Sequence, residues 1–194
     1  MIERIKQLRE KAKLDGNPVL RDKSFELLLQ TVKNKRPERI LEVGVNVGLS
    51  GIAMLLTSPK SQLTGIEIDD DCVLQATNNY KTFGVDGRAK IFRGDASEII
   101  PILTGEYDFI FLDGPKGHYY EYLPHLLAVL KKGGILFADN VLFRGYVDGS
   151  VKTPHRHATI KNSMSNFIDR ITNDKNLKTT VYAMEDGVSI TEKL

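Results

Sequence analysis

Four polar residues in the second half of the sequence have the types and spacing that suit metal-assisted chemistry. Asp113 directly follows an apolar run at residues 109–112. Asp139 and Asn140 directly follow a second apolar run, at residues 135–138. Two carboxylates and an amide oxygen at neighbouring strand ends form a hard oxygen site of the kind that Mg²⁺ accepts. The alternative is that Asp139 and Asn140 form only a turn, which these residue types also favour.

Lys116 adds a candidate base to this set, three residues after Asp113. A neighbouring divalent cation favours the neutral form of a lysine, which can then accept a proton. The same cation makes a hydroxyl bound to it easier to ionise. The combination predicts activation of a substrate hydroxyl.

The stretch at residues 39–50 indicates a buried strand, a glycine turn and the start of a helix. Gly44 and Gly48 let the backbone turn sharply and approach a ligand closely. The helix that follows directs its first N–H groups at that ligand. A dinucleotide site would need Gly-x-Gly-x-x-Gly, but Val45 and Asn46 follow Gly44. The missing middle glycine counts against a pyrophosphate ligand.

Two further acids end the next two predicted strands. Glu67 ends the second strand, where a carboxylate can accept hydrogen bonds from the hydroxyls of a ribose. Asp95, followed by Ala96, ends the third strand and could accept from an adenine amino group. Either acid alone could be only a helix cap. Together with Glu42 on the first strand, they favour S-adenosylmethionine as the ligand.

The elements that position these residues alternate between strand and helix. Apolar residues at helical spacing predict two helices within residues 1–36, the second capped by Asp22 or Ser24. Predicted helices then cover residues 49–56, 70–83, 96–103, 119–130 and 159–171. Predicted strands after the first cover residues 62–68, 89–92, 107–112, 134–138, 177–184 and 188–193.

Five strand and helix alternations predict a parallel sheet with helices on both faces. After the long loop at residues 140–157, Asp-Gly within residues 185–187 signals a terminal hairpin. The last strand of the sheet should therefore run antiparallel to its neighbour. This α/β layout, with seven mostly parallel strands, is that of the Rossmann-like class I methyltransferases.

Composition is that of an ordinary globular protein. The 194 residues suit one domain spanning residues 1–194, since splitting becomes usual only beyond ~250 residues. A net charge of +2 is too small to argue for nucleic acid by itself. The single cysteine, Cys72, fits a reducing compartment. No apolar run approaches the ~18 residues of a membrane span, so we predict a cytoplasmic protein with no membrane partner.

Three motifs resemble the cation-dependent O-methyltransferases of the catechol and caffeoyl-CoA type, over roughly residue 17 to the C-terminus. They are Leu41-Glu42-Val43-Gly44 with Gly48 and Ser50, Asp113-Gly114-Pro115-Lys116-Gly117 with Tyr119, and Asp139-Asn140-Val141-Leu142-Phe143-Arg144-Gly145. The resemblance implies that Asp113, Asp139 and Asn140 bind Mg²⁺ or another divalent cation. It also implies that Lys116 is the catalytic base.

The same resemblance implies which residues contact S-adenosylmethionine, with Glu67 on the ribose and Asp95 and Ala96 near the adenine. The full set is Glu42, Gly44, Val45, Gly48, Ser50, Glu67, Asp95, Ala96 and Asp113. Within the family, residues 139–145 most resemble the bacterial branch that methylates 5-hydroxyuridine at the tRNA wobble position.

Two features bear on the methyl acceptor. Catechol methyltransferases carry a glutamate for the second catechol hydroxyl where Ser189 stands here. The loop after Asn140 is basic, with Arg144, Lys152, Arg156 and Lys161 against Asp148. It is either a solvated loop or a phosphate-binding surface for RNA, with Tyr119, Tyr120 or Tyr146 available to stack on an unpaired base.

The sequence therefore predicts an S-adenosylmethionine- and Mg²⁺-dependent O-methyltransferase that methylates a metal-bound hydroxyl of 5-hydroxyuridine in tRNA. One alternative acceptor is a small phenolic or catechol-like molecule. A nicotinamide oxidoreductase is opposed by the missing glycine, and a non-catalytic RNA-binding or cofactor-sensing module by the metal and base set. The apolar face of the first helix, with Ile2, Ile5 and Leu8, either packs on its own domain or supplies a homodimer interface.

Overall fold

The computed structural model describes residues 2–194, and the side chain of Ile2 lies outside the described part. The helices are α1 (Ile2–Leu14), α2 (Asp22–Lys35), α3 (Leu49–Thr57), α4 (Asp70–Phe83), α5 (Ala96–Ile99), α6 (Tyr119–Val129) and α7 (Ala158–Asn173). The strands are β1 (Arg39–Val43), β2 (Gln62–Glu67), β3 (Ala89–Arg93), β4 (Tyr107–Leu112), β5 (Leu130–Asp139), β6 (Leu177–Tyr182) and β7 (Val188–Lys193).

The seven strands form one sheet in the order β3-β2-β1-β4-β5-β7-β6, with helices around it. Six strands are parallel and β7 is antiparallel, because β7 lies between β5 and β6 and pairs with both in the antiparallel sense. The predicted fold class and the terminal hairpin are confirmed. Among residues 2–194, no helix has the length and apolar character that crossing a membrane requires.

The chain divides into two compact units, which meet in sequence between Ala96 and Ser97. The first unit contains β1, β2 and β3, and the second contains β4 to β7. The prediction that residues 1–194 form a single domain stays a prediction.

The first unit is built on the buried strand β1. Val43 of β1 pairs with Ile66 of β2, and Glu67 of β2 pairs with Arg93 of β3, all in parallel register. On the N-terminal side, Ile5 of α1 is buried, and Leu8 packs against the cluster of Ala12, Val47 and Leu49. Leu8 of α1 thus packs on its own unit, whereas Leu14 at the end of the helix is exposed.

Apart from shifts in element bounds, such as β5 beginning at Leu130 and not at residue 134, two local predictions are wrong. The cap residue of α2 is Arg21, and Asp22 and Ser24 lie inside the helix, so neither is its N-cap. The Asp22 carboxylate instead accepts a hydrogen bond from Nη2 of the buried Arg9, at 2.6 Å. The predicted helix at residues 96–103 leaves the α-helical form after Ile99, where a 3₁₀ segment containing Pro101 begins. Proline has no N–H for the α-helical ladder, which accounts for the change.

The second unit is built on β4, β5 and the terminal hairpin. β4 is nearly all buried, and the ring of Phe111 contacts the ring of Phe137 on β5 edge to face, with centroids 5.8 Å apart. Leu112 pairs with Ala138, so Asp113, which follows β4, and Asp139, the last residue of β5, lie at the same edge of the sheet.

Candidate active site

The glycine turn, residues 44–48, directly follows β1 in the first unit. Gly44 and Gly48 have φ angles of 88° and 85°, in the left-handed region that favours glycine. The N–H of Gly44 donates to the carbonyl of Ile66 at 3.0 Å, which holds the turn against β2. The cap residue of α3 is Gly48, which has no side chain to compete with a bound anion for the N–H groups of the first turn.

Glu67 organises this turn through backbone contacts. Its Oε2 accepts from the N–H of Asn46 at 2.7 Å, while Oε1 accepts from the N–H groups of Ile68 and Asp69 at 2.9 and 3.0 Å. Asn46 itself is left-handed, with φ 50°. The contact between Asn46 and Glu67 was not predicted from the sequence. An asparagine inside a glycine turn was a signal for it, since asparagine tolerates the left-handed conformation better than most residues.

Apart from Asp113, which lies in the second unit, the other predicted cofactor residues fall into two groups in the first unit. Asp95 is half-buried and follows Gly94, whose N–H donates to the backbone carbonyl of Glu67 at 2.9 Å. Ser50 is half-buried in the first turn of α3, and Ala96 is buried. The edge that carries Glu67 therefore also carries Asp95.

Glu42 and Val45 lie within the packed interior of the first unit. Glu42 is fully buried, and its Oε2 lies 2.7 Å from where a Cβ on Gly51 would stand. Burial raises the pKa of Tyr80 well above its ordinary value, and the charge of Glu42 raises it further. Val45 is buried and fills the space that a Cβ on Gly65 would need. Contacts from Glu42 and Val45 to a cofactor stay predictions.

The acidic cluster, which we define as Asp113, Lys116, Asp139 and Asn140, lies in the second unit at the ends of β4 and β5. Lys116 Nζ donates to Asp113 Oδ1 at 2.8 Å. Asp139 is only 4% exposed, and burial, followed by the charge of Asp113, raises its pKa from 3.8 to about 7. A hydrogen bond from the Asn140 backbone and the charge of Lys116 act in the opposite direction. Burial beside Asp113 therefore disfavours the charged form of Asp139.

This donor set fits a hard divalent cation. A cation would offset both the burial of Asp139 and its repulsion by Asp113, and carboxylate and amide oxygens are the ligands that Mg²⁺ prefers. Across the described residues there is no group of three or more His, Cys, Asp or Glu side chains that could hold a metal ion. With Asp113 and Asp139 as its two acids, such a site would have Asn140 as a third protein donor, with water completing the coordination.

Tyr119 bridges the ends of β4 and β5, next to Asp113 and Asp139. Its side chain is fully buried, and its hydroxyl proton is shared between the carbonyls of Leu112 and Asp139, at 3.0 and 3.3 Å. Its ring packs edge to face on Phe167, with centroids 5.5 Å apart. The prediction that Tyr119 stacks on an RNA base is wrong, because no face of this ring is accessible. Its positioning role was missed, although its place in the Asp113 motif was a signal.

Replacing Tyr119 with phenylalanine should lower the free energy of unfolding by about 1–2 kcal/mol. Two buried carbonyls lose their shared donor, while the packing of the ring is kept. Calorimetry should show a fall in Tm of roughly 2–8 °C. The matched control is Tyr120→Phe, since the side chain of Tyr120 is 47% exposed and its hydroxyl change should be nearly neutral. Equal effects of the two substitutions would contradict the role given to the Tyr119 hydroxyl.

The substrate loop, residues 140–157, is closed by a group of three rings. The ring centroids of Phe143, Tyr146 and His157 lie 5.5 to 5.7 Å apart in pairs. Tyr146 is therefore already packed against two rings, whereas Tyr120, outside the loop, is exposed. Arg144, Lys152 and Arg156 of the loop are exposed. Lys161 is half-buried and lies in α7, so its predicted place in the loop is wrong.

The sheet order, the glycine turn after β1 and the acids after the parallel strands define a Rossmann-like methyltransferase. The family model described as O-methyltransferase matches residues 3–194. The chain belongs to this O-methyltransferase family, as its motifs predicted. The match does not distinguish the tRNA branch from others.

Known relatives agree with this assignment. The caffeoyl-CoA O-methyltransferase of Stellaria longipes is 32% identical over 139 residues, which cover 68% of this chain and 56% of that protein. The caffeoyl-CoA O-methyltransferase of Populus kitakamiensis is 27% identical over 205 aligned positions, covering 99% and 87%. The crystal structure of the S-adenosylhomocysteine-bound methyltransferase PaMTH1 of Podospora anserina has a TM-score of 0.87 at 22% identity, covering 98% and 87%. At that identity, it is the fold that the two proteins share.

Proposed function

We propose that this protein transfers a methyl group from S-adenosylmethionine to a substrate hydroxyl, with the help of Mg²⁺ or another divalent cation. The observation that carries the proposal is the acidic cluster, in which Lys116 contacts Asp113 while Asp139 is buried beside them. A base, two acids and an amide in one place suit deprotonation of a hydroxyl and stabilisation of the resulting charge.

The first unit offers features that suit the methyl donor. A carboxylate has about four lone-pair positions, and three backbone N–H groups already bond to Glu67, which leaves room for a ribose hydroxyl. The first turn of α3 can accept the amino acid carboxylate of the donor, because its cap residue, Gly48, has no side chain. The bound S-adenosylhomocysteine in the Podospora anserina relative supports the same ligand class.

The cation would be held by Asp113, Asp139 and Asn140. When bound, it would supply Lewis-acid stabilisation of negative charge on the acceptor oxygen. Asp113 has a second role, since its Oδ1 accepts a hydrogen bond from Nζ of Lys116 at 2.8 Å and so fixes the position of the base. Tyr119 keeps the ends of β4 and β5 together, which maintains the spacing of the two acids.

Lys116, in its neutral form, takes the proton of the acceptor hydroxyl at Nζ. The acceptor oxygen then forms a bond to the methyl carbon while the carbon–sulfur bond breaks, and the bonding electron pair passes to sulfur. Most of the acceleration comes from alignment of the reacting groups and from charge stabilisation in a largely water-excluded place. The lysine releases its proton to solvent after the products leave.

For the acceptor we infer the 5-hydroxyuridine of a tRNA. The resemblance of residues 139–145 to the tRNA branch supports this, as does the exposure of Arg144, Lys152 and Arg156 in the substrate loop. Ser189, at the position of the catechol-binding glutamate, is fully buried on β7 and carries no carboxylate. A catechol would lack that partner.

A small phenolic acceptor is the second candidate. It is favoured by the two relatives from Stellaria longipes and Populus kitakamiensis, which are described as caffeoyl-CoA O-methyltransferases. Such an acceptor would use the same acidic cluster and would not need the basic residues of the substrate loop.

The two acceptors are distinguished by one labelling experiment with methyl-labelled S-adenosylmethionine and Mg²⁺. We expect label in tRNA that carries 5-hydroxyuridine, and none in tRNA that lacks the hydroxyl group. Caffeoyl-CoA and catechol serve as the phenolic acceptors in parallel reactions. Label only in a phenolic product, with no competition by tRNA, would replace the tRNA proposal. Absence of label from all acceptors would contradict the proposed activity.

A further inference from the structure

The substrate loop is attached to the turn that connects β6 and β7. The N–H of Val141 donates to the carbonyl of Gly187 at 3.0 Å, and the N–H of Leu142 donates to the carbonyl of Asp186 at 2.9 Å. The two donors directly follow Asn140 in the sequence, whereas the two acceptors lie more than forty residues further on. A distant turn therefore sets the course of the chain as it leaves the acidic cluster.

Gly187 has no room for a side chain. Its φ of +81° is in the left-handed region, and a Cβ there would stand 2.4 Å from Cγ of Leu142. It would also stand 2.8 Å from the backbone nitrogen of Leu142, which is itself one of the two hydrogen-bond donors. Because part of the obstruction is backbone, a side chain at position 187 must displace the loop.

Asn140 is held from both sides by this arrangement. On one side, Asp139 is the ladder partner of Val188, the first residue of β7. On the other side, Val141 is fully buried and bonded to Gly187. Asn140 between them has φ 57°, a left-handed conformation that asparagine tolerates but that flanking contacts must maintain.

We propose that the β6–β7 turn, residues 185–187, is a positioning element for Asn140, and that Gly187 is its essential positioning residue. The inference rests on the proposed function, in which Asn140 is the third oxygen donor to the cation. Gly187 contacts neither cation nor substrate. It acts by allowing the loop backbone to approach closely enough for both hydrogen bonds.

The test compares Gly187→Ala with Gly133→Ala in Mg²⁺ titrations of the methyl-transfer rate. Gly133 has φ +73° with nothing within 4 Å of the added Cβ, so this control carries the same conformational cost without the obstruction. We expect Gly187→Ala to raise the half-saturating Mg²⁺ concentration by about 10- to 100-fold, as loss of an outer-shell partner does. Gly133→Ala should stay within about twofold of the wild type, since Gly133 lies near the opposite end of β5 from Asn140. Binding of S-adenosylhomocysteine should be unchanged in both, which a general loss of structure would not allow.

A second measurement uses only the wild-type protein, so it does not depend on the folding of a variant. Mg²⁺ should slow hydrogen exchange at the amides of Val141 and Leu142, because ordering Asn140 strengthens the bonds to the turn. The amide of Ser150, which bonds to Asp148 within the loop, is the internal reference and should not change.

The outcomes separate this inference from the proposed function. A wild-type rate that is indifferent to both Mg²⁺ and a chelator overturns the proposed function and, with it, the role of the turn. If the wild type depends on Mg²⁺ and Gly187→Ala has the same half-saturating Mg²⁺ concentration, the inference is overturned and the proposed function stands. Unchanged exchange at Val141 and Leu142 on addition of Mg²⁺ also overturns it.

Discussion

Replacing Asp139 with alanine should lower kcat by about 10²- to 10³-fold, which corresponds to the several kcal/mol that a Lewis acid contributes. Asp139 is the more buried of the two acids in the cluster. Its raised pKa means that burial destabilises the charged form of its carboxyl group. We expect the substitution to remove a ligand that no neighbouring side chain replaces. Binding of S-adenosylhomocysteine should persist, because Glu67 and the glycine turn lie in the first unit.

Steady-state kinetics and calorimetric titration with S-adenosylhomocysteine measure these two effects separately. Asp108→Ala is the matched control, since Asp108 is an acid of β4 that pairs with Lys131 at 2.8 Å, outside the cluster. A strong chelator should abolish transfer by the wild type and have little further effect on Asp139→Ala. Full wild-type activity in the chelator would remove the metal from the mechanism.

The same substitution has a consequence that needs no turnover. A ligand that binds only the folded state stabilises it by about 2.7 kcal/mol at a concentration one hundred times its Kd. Saturating Mg²⁺ should therefore raise the Tm of the wild type by several degrees, and it should not raise the Tm of Asp139→Ala. Equal shifts in both proteins would place cation binding elsewhere.

Replacing Lys116 with methionine should lower kcat by about 10²- to 10⁴-fold at saturating acceptor, the range that general bases contribute. Methionine keeps most of the length of the side chain but cannot accept a proton. The loss should shrink as pH rises, because the acceptor hydroxyl then ionises without a base. Rates measured between neutral and alkaline pH test both parts of this expectation.

Lys131→Met is the control for this variant. Lys131 pairs with Asp108 at 2.8 Å, as Lys116 pairs with Asp113, but Lys131 lies outside the cluster. If the lysine acts only by balancing the charge of Asp113, kcat in Lys116→Met should fall less than tenfold at every pH. That result would remove Lys116 from proton transfer.

Most helices and strands could be predicted from the sequence because their patterns are local. The bounds of α4, Asp70–Phe83, and of β4, Tyr107–Leu112, are those that apolar periodicity predicts. The failures occurred where a distant or special residue overrides the local pattern. Arg9 draws the carboxylate of Asp22 away from the cap of α2, and Pro101 changes the hydrogen bonding after α5.

The candidate site could be anticipated because parallel strands end at one edge of the sheet. Asp113 and Asp139 lie at that edge because Leu112 and Ala138 are ladder partners. The alternation of strands and helices predicts the parallel sheet but not this register. The proximity of Lys116 to Asp113 follows from a separation of three residues. Residue type and the alternation of elements were sufficient to name these members of the cluster.

Contacts between residues far apart in the chain were not accessible in this way. Tyrosine is a residue type that can stack on a base, yet the ring of Tyr119 is buried against Phe167 and its hydroxyl bonds to two strand ends. In the sequence, Gly187 is an ordinary glycine of a hairpin turn, yet in the structure it lies against Leu142, which is 45 positions earlier in the chain. Local sequence encodes backbone periodicity and the chemistry of each side chain. The three-dimensional packing of segments that are remote in sequence decides the rest. It determines which carbonyl a buried hydroxyl bonds to, and which loop a glycine contacts.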